Sequence, residues 1–353
     1  MIVLWIFVLL CAVWAAHWEA DQLAIPLQKL RQQWGVSEAA GAAFVALATA
    51  SPEIGTNTMS AVQGLSDIGL GNLLGSNIIS VPAIVTVAYL ASQTREANQN
   101  IQPGMGGDFD RKGNADQDDG PRLNVFRSWT ALRLKPEALT AQAIPYLCVI
   151  ALAALLTIPP GWRGLQPIDG WIMLMAYGVY VAQAVLRHRR PGKTVRWRSS
   201  EILRAGCGVL ALAVGAYFVV TATEQIVSIL RISALIGGLF ITSTLSIAPE
   251  VFATWSVARS GQMTAATTSV IADNTATMTL AFFPLAIVGL PIEDTLLFSV
   301  NLGFVALLAA VYAALIRWGR RKSSFELWEV CLLIGIYLVY LVVMLVGVLK
   351  VFG

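Results

Sequence analysis

A polar pattern inside apolar sequence occurs twice in this chain, 197 positions apart and without a gap. Pro52 and Glu53 return as Pro249 and Glu250. A carboxylate in the middle of a membrane-length apolar segment costs roughly 2.5 to 3.5 kcal/mol on insertion scales, so its repetition indicates a functional site. Duplicated hydrophobic segments that are interrupted by Pro are typical of the binding sites of membrane transporters.

The match between the two copies extends into the helix that follows each glutamate. Four further residues match on either side of the glutamate: Gly41, Thr49, Gly64 and Asn77 return as Gly238, Ser246, Gly261 and Asn274. The repeat therefore predicts two copies of one two-helix unit, over 41–80 and 238–277.

Composition places this unit in a membrane, because 56% of the residues are hydrophobic and only 13% are charged. Runs of near 20 residues, long enough to cross a bilayer, lie at about 2–24, 38–62, 67–91, 142–160, 168–187, 201–222, 232–257, 264–290, 295–316 and 326–349. These runs predict an all-α polytopic membrane protein with ten transmembrane helices, arranged as two inverted five-helix repeats. The first repeat would be 1–190, including a polar loop at 92–140, and the second 191–353.

Charge predicts the orientation of the chain. If the loops are numbered alternately, 21 of the 24 Lys and Arg residues fall on one side, which makes this side cytoplasmic. Both termini then lie outside the cytoplasm, and five helices in each half make the repeats inverted. We expect an integral protein of the bacterial inner (plasma) membrane.

Several function classes are excluded by composition. The net charge of +3 is too small to argue for nucleic acid, and two histidines exclude the H-E-x-x-H zinc motif. Because no nucleophile–base pair is visible, we expect neither an enzyme nor a bound cofactor. The four cysteines lie in apolar runs and are expected to be small core residues. The expected partners are the lipid bilayer and transported cations. Whether the protein also forms a homo-oligomer stays open.

Two further segments carry expectations about structure. The run Ile2 to Ala16 lacks a basic region before it, so we interpret it as a retained first helix rather than a signal peptide. The middle of 92–140 is predicted to be a flexible loop, with a surface helix from Asn124 to Leu139. Whether this segment takes part in transport or only connects helices stays open.

The repeated Pro-Glu pair predicts a cluster of oxygen ligands. Pro has no N–H, so Pro52 and Pro249 should free the carbonyls of Ala48 and Leu245 one turn before each glutamate. Carbonyls, hydroxyls and carboxylates are the ligands of a hard cation. We expect Glu53 and Glu250, the equivalent residue of the second copy, to face each other across one central site.

The second helix of each unit adds polar residues in excess of what packing needs, and these are predicted ligands or pathway residues: Ser76, Asn77 and Ser80, with Asp273, Asn274 and Thr277. Gly71 and Gly75 form a small-xxx-small pair, which is better explained by close helix packing.

These motifs resemble the cation/calcium exchanger superfamily, the sodium/calcium exchangers and their prokaryotic relatives. That family has two inverted repeats, each with G-T-S-x-P-E on one helix and G-S-N-x-x-N or -D on the next. The chain reads ATASPE at 48–53 and GSNIIS at 75–80, then LSIAPE at 245–250 and ADNTAT at 272–277. In both halves the last motif position lies 27 residues after the glutamate.

The resemblance implies ten helices and exchange of Ca²⁺ against Na⁺ or H⁺. It implies that Glu53 and Glu250 are the calcium carboxylates, that Thr49 and Ser246 offer oxygens, and that Ser76 helps to bind the coupling ion. The chain departs from the family at Ser80 and Thr277, where the family has Asn or Asp, and at Ala50 and Ile247, which replace a hydroxyl. Several Na⁺ ligands are therefore missing.

Asp273 is the most informative departure, because it lies four residues before Thr277 on the same helix face. The missing carboxylate is thus predicted to have moved one turn along the site, as a candidate proton carrier; a purely structural role is the alternative. The leading function is a secondary cation antiporter. The alternatives are an antiporter of another cation and a non-transporting, ion-sensing membrane subunit.

Overall fold

The computed structural model describes residues 1–33, 46–101, 132–133, 136–187, 194–195, 197–259, 263–318 and 324–349, and it is almost entirely helical. The first half contains α1 (Ile2–Gln33), α2 (Ser51–Val62), α3 (Ser66–Ile101), α4 (Pro136–Thr157) and α5 (Pro167–Arg187). Residues 46–49, directly before α2, are also helical.

The second half contains α6 (Ser199–Leu230), α7 (Ala234–Ile236), the π-helix π1 (Gly237–Thr242), α8 (Ser243–Arg259), α9 (Met263–Ala276), the π-helix π2 (Thr277–Ala281), α10 (Phe282–Ile287), α11 (Thr295–Trp318), α12 (Leu327–Val342) and the π-helix π3 (Val343–Val348). Two short strands, β1 (Leu132–Arg133) and β2 (Ser324–Phe325), pair antiparallel. The predicted all-α class is confirmed.

Six helical stretches among the described residues are long and apolar enough to cross a membrane. They are 66–94, 199–230, 234–259, 266–287, 295–318 and 327–348, and shorter apolar helices cover 2–16 and 142–157. The count of ten crossings and the boundary at 190/191 stay predictions; residues 188–193 lie outside the described ranges.

Some details differ from the predicted boundaries. Helix α1 continues nine residues beyond the predicted end at 24, and α3 continues from the predicted end at 91 to Ile101. Leu132 and Arg133 form β1 where a surface helix was predicted, because they pair with Phe325 and Ser324. The remainder of the predicted flexible loop, 102–131, lies outside the described residues.

The prediction for the cysteines is wrong, since all four are exposed on the helical surface: Cys11, Cys148, Cys207 and Cys331. In a membrane-spanning bundle an apolar run has a lipid-facing side as well as a core side, so hydrophobic sequence does not by itself indicate burial in protein.

The helices divide into a central and a peripheral set. In the apolar stretches of α3 and of α9 to α10, 72% and 78% of the residues are buried, against 33% in α6 and 22% in α12 to π3. The second helix of each repeated unit thus lies at the centre of the bundle. Most of its polar side chains are enclosed by protein.

At the periphery, α1 and α6 pack along their length in opposite directions. Gly215 lies so close to α1 that an added Cβ would be 2.8 Å from the carbonyl oxygen of Ala12 and from the nitrogen of Ala16. Nearer the other end of the pair, Lys29 forms an ion pair with Glu201.

At the centre, α3 crosses π1 with the two backbones in contact. A Cβ on Gly71 would be 2.2 Å from the carbonyl oxygen of Leu235, and one on Gly238 would be 2.1 Å from that of Ile68. Only glycine fits at either position. This contact brings α3, from the first unit, against the segment that leads into α8 of the second.

Candidate cation-binding site

Three acidic side chains converge at the centre of the bundle. Glu53 lies in the first turn of α2, Glu250 in α8 and Asp273 in α9. One carboxylate oxygen of each lies within 4.8 Å of those of the other two. The expected meeting of the two repeated glutamates is therefore present, and Asp273 lies with them.

The prolines shape the backbone at both glutamates, but with different results. Pro52 stands in the first turn of α2, whereas Pro249 lies inside α8. The carbonyl of Ala48 is not left free as expected, because the Ser51 hydroxyl donates to it at 2.6 Å. At the matching position Ala248 has no hydroxyl to donate.

Glu53 is the least compensated of the three acids. It is only 1% exposed, and neither of its carboxylate oxygens has a hydrogen-bond partner among the described residues. A buried charge without a partner is strongly unfavourable. Its position in the first turn of α2 lets the helix dipole stabilise it only in part. Either a bound cation or a proton on the carboxyl would offset this cost.

Thr49 is the predicted hydroxyl that contacts the acids. Its Oγ1 donates to Oδ1 of Asp273 at 2.7 Å, which joins the first unit to the second. Hydrogen bonds to an ionised acceptor are stronger than neutral ones, so Thr49 fixes the Asp273 carboxylate.

Ser246, the repeat mate of Thr49, has a different partner. Its hydroxyl donates to Oδ1 of Asn72 at 3.2 Å, and Nδ2 of Asn72 donates to Oδ1 of Asn57 at 3.2 Å. Asn57 in turn donates to the carbonyl of Ala281 at 3.3 Å. This chain of buried bonds ties α2, α3, α8 and π2 together.

The polar residues of α3 and of α9 to π2 pair mainly with each other. Ser80 and Asn274 are joined by hydrogen bonds of 2.8 and 2.9 Å, and Nδ2 of Asn77 donates to Oγ1 of Thr277 at 3.1 Å. Ser76 donates to the carbonyl of Leu73 in its own helix at 3.4 Å. These five predicted residues line the helix interface next to Asp273.

Sequence reasoning missed Asn57, Asn72 and Tyr146 in this polar interior. Asn57 follows Glu53 by four residues on α2, so the helical period could have indicated it. Tyr146 of α4 donates to Oδ1 of Asn77 at 2.8 Å; nothing in the apolar sequence around it distinguishes this tyrosine from a core aromatic.

Chemically, the arrangement is suited to a hard cation. Three carboxylates and a neighbouring hydroxyl offer only oxygen ligands, and Ca²⁺ prefers six to eight oxygens at 2.3 to 2.6 Å. Thiol and imidazole ligands, which favour softer metals, are absent from the described acidic cluster. The fold is that of a polytopic membrane protein, and its centre holds an acidic cluster whose chemistry suits a hard cation.

The family follows from comparison with known sequences. A family model described as "Sodium/calcium exchanger protein" matches residues 2–186 and 201–346, which is most of the chain. The chain belongs to this sodium/calcium exchanger protein family. It is therefore a member of a family of cation transporters rather than of enzymes. No curated protein matches the sequence significantly.

Solved structures share the fold at low sequence identity. The H⁺/Ca²⁺ exchanger CAX is 13% identical, with a TM-score of 0.66 over 96% of this chain and 79% of that one. The sodium-calcium exchanger NCX_Mj soaked with 10 mM Na⁺ and zero Ca²⁺ is 17% identical, with a TM-score of 0.60 over 97% and 99%. The same exchanger soaked with 2.5 mM Na⁺ and 10 mM Sr²⁺ is 19% identical, with a TM-score of 0.59 over 97% and 99%. At these identities the likeness shows the fold alone, which confirms the polytopic class.

Proposed function

We propose that the chain is a secondary antiporter that exchanges Ca²⁺ against Na⁺ or H⁺ by alternating access, with its site at the bilayer midplane around Glu53 and Glu250. Membership of the exchanger family supports the transport class. The central ligands would be the three carboxylates, helped by Thr49, and the other predicted polar residues would complete the coordination or line the pathway.

One observation carries this proposal. Glu53 is buried with both carboxylate oxygens unpartnered among the described residues, beside two further acids within 4.8 Å. Like charges this close repel, and burial removes the water that would screen them. A divalent cation would neutralise two of the three charges. The remaining charge favours a second guest, either a proton or Na⁺.

Both coupling ions have support. The fold is shared with an H⁺/Ca²⁺ exchanger and with a sodium-calcium exchanger. Ser80 and Thr277 stand where the superfamily has Asn or Asp, and Ser80 is paired with Asn274. The loss of these ligands weakens the argument for Na⁺. Asp273 offers the additional acid that exchange against protons would need.

The orientation is part of the same proposal. The excess of Lys and Arg in alternate loops places those loops in the cytoplasm and both termini outside it. We place the protein in the plasma membrane of a bacterium, where the Na⁺ and proton gradients that drive antiport are available.

Uptake of ⁴⁵Ca²⁺ into proteoliposomes that contain the purified protein tests the proposal. An outward Na⁺ gradient and an outward proton gradient are imposed in separate experiments, each with protein-free liposomes as the control. Uptake driven by one gradient and abolished by its collapse identifies the coupling ion. Ca²⁺ binding without uptake under either gradient would instead favour an ion-sensing subunit. Absence of both binding and uptake would contradict the proposal for Ca²⁺ and leave an antiporter of another cation as the alternative to test.

A further inference from the structure

Tyr146, which lies outside the repeated units, contacts one of the predicted ligands. Its hydroxyl donates to Oδ1 of Asn77 at 2.8 Å, and both side chains are 1% exposed. Helix α4 thus reaches the polar interface between α3 and α9.

The rest of the Asn77 amide is fully engaged. Its Nδ2 donates to the carbonyl of Leu73 at 2.8 Å and to Oγ1 of Thr277 at 3.1 Å. Because a carbonyl can only accept, the NH₂ group must face Leu73, and the amide oxygen must face Tyr146. In this position Tyr146 supplies the proton that a buried carbonyl oxygen needs.

We propose that Tyr146 sets the cation affinity of the site, because it occupies the Asn77 amide oxygen when no cation holds it. This inference rests on the proposed function, in which Asn77 is one of the ligands. A bound cation and the phenol proton compete for the same oxygen. The hydroxyl therefore stabilises the empty site, which weakens binding and speeds release.

Removal of the hydroxyl should reverse this balance. In Tyr146→Phe the amide oxygen stays buried without a donor until a cation arrives, so the empty site is destabilised more than the loaded one. We expect the Kd for Ca²⁺ to fall about threefold to tenfold. The maximal rate of exchange should fall as well, because release becomes slower.

A matched control exists elsewhere in the chain. Tyr340 of α12 donates to Oδ1 of Asn301 at 2.8 Å, and Nδ2 of Asn301 donates to the carbonyl of Leu297 at 2.7 Å. Both side chains are buried, so Tyr340→Phe removes the same hydroxyl from the same kind of bond, between two helices outside the repeated units. It should lower stability as much as Tyr146→Phe and leave the Kd for Ca²⁺ unchanged.

The experiment measures equilibrium binding of ⁴⁵Ca²⁺ to the purified full chain in detergent, with thermal unfolding of each variant. Tighter binding in Tyr146→Phe alone supports the inference. An unchanged or weaker affinity in Tyr146→Phe, or the same shift in Tyr340→Phe, overturns it. In an Asn77→Ala background, which lacks the oxygen, Tyr146→Phe should change the Kd less than twofold; a full shift there also overturns it. If the wild type binds no Ca²⁺, both the proposed function and this inference fail.

Discussion

The two copies of the repeated unit, 41–80 and 238–277, share one skeleton but contribute unequally to the acidic cluster. The first copy supplies one carboxylate, Glu53. The second supplies two, Glu250 and Asp273, because Asp273 occupies the position of Ser76. Duplication accounts for where the acids meet, whereas the later divergence of their neighbours decided how much charge the site holds.

The surroundings of the two copies differ in the same way. Thr49 donates to an acid, but its mate Ser246 donates to the neutral amide of Asn72. Helix α3 passes through Ser80 without interruption, while the matching helix changes to π2 at Thr277. π-Helical turns are frequent at functional sites. The second copy is thus the more specialised half of the site, and the following substitutions probe this difference.

The largest effect is expected from the glutamates. Glu53→Gln and Glu250→Gln should each reduce Ca²⁺ exchange to background, since each removes a central ligand. Glu53→Gln should leave the protein folded and at least as stable, because it removes an uncompensated buried charge. Proteoliposome flux and thermal unfolding measure the two effects.

Glu329→Gln is the matched control for the glutamates. Glu329 is also buried, but its Oε2 accepts the backbone N–H of Glu326 at 2.8 Å as a helix cap. Flux should survive this change. Wild-type flux in Glu53→Gln would instead mean that this glutamate is structural and that the copies do not share a ligand role.

The next largest effect concerns the acid that only the second copy has. Asp273→Ser restores the residue type of the first copy and should weaken Ca²⁺ binding about tenfold to hundredfold, since it removes a charged ligand. Asp273→Asn, which keeps the shape, should also flatten the dependence of Ca²⁺ flux on pH. A rate and pH profile equal to wild type would contradict the displaced-carboxylate hypothesis.

The two repeated hydroxyls should differ by a smaller factor. Thr49→Val breaks a hydrogen bond to a carboxylate, so it should weaken Ca²⁺ binding about tenfold or more, whereas Ser246→Ala breaks a neutral bond and should cost only about threefold. Thr58→Val, on α2, removes a hydroxyl that donates to the carbonyl of Ile54 and serves as the control. Equal effects at Thr49 and Ser246 would show that the two copies contribute alike.

The smallest effect is expected at Ser51, which directly precedes Pro52. Ser51→Ala removes the donor to the Ala48 carbonyl and makes this turn resemble the second copy, which has Ala248. We expect a loss of about 0.5 to 1.5 kcal/mol in stability and exchange within about twofold of wild type. Thermal unfolding in detergent and flux check this; a large loss of flux would mean that the carbonyl takes part in ion binding.

Much of this arrangement could be predicted from the sequence. The apolar runs predict the helical class, and the gapless repeat predicts that Glu53 and Glu250 meet, because equivalent positions in two packed copies lie at equivalent depths. The position of Asp273 on the helix face of Thr277 predicts its place near them. The sequence predicted a free carbonyl at Ala48, one turn before Pro52, but the Ser51 hydroxyl donates a hydrogen bond to it.

The sequence alone thus determined the membrane class, the helical elements and the meeting of the two repeated glutamates, which follow from hydrophobicity and from the gapless repeat. Only the tertiary structure decided that Tyr146 holds Asn77, that Ser246 contacts Asn72 rather than an acid, and that the cysteines face outward. The reason is physical. Spacing places a side chain on a face of its own helix, but its partner depends on how neighbouring helices rotate and approach, which contacts such as that between Gly71 and Gly238 decide.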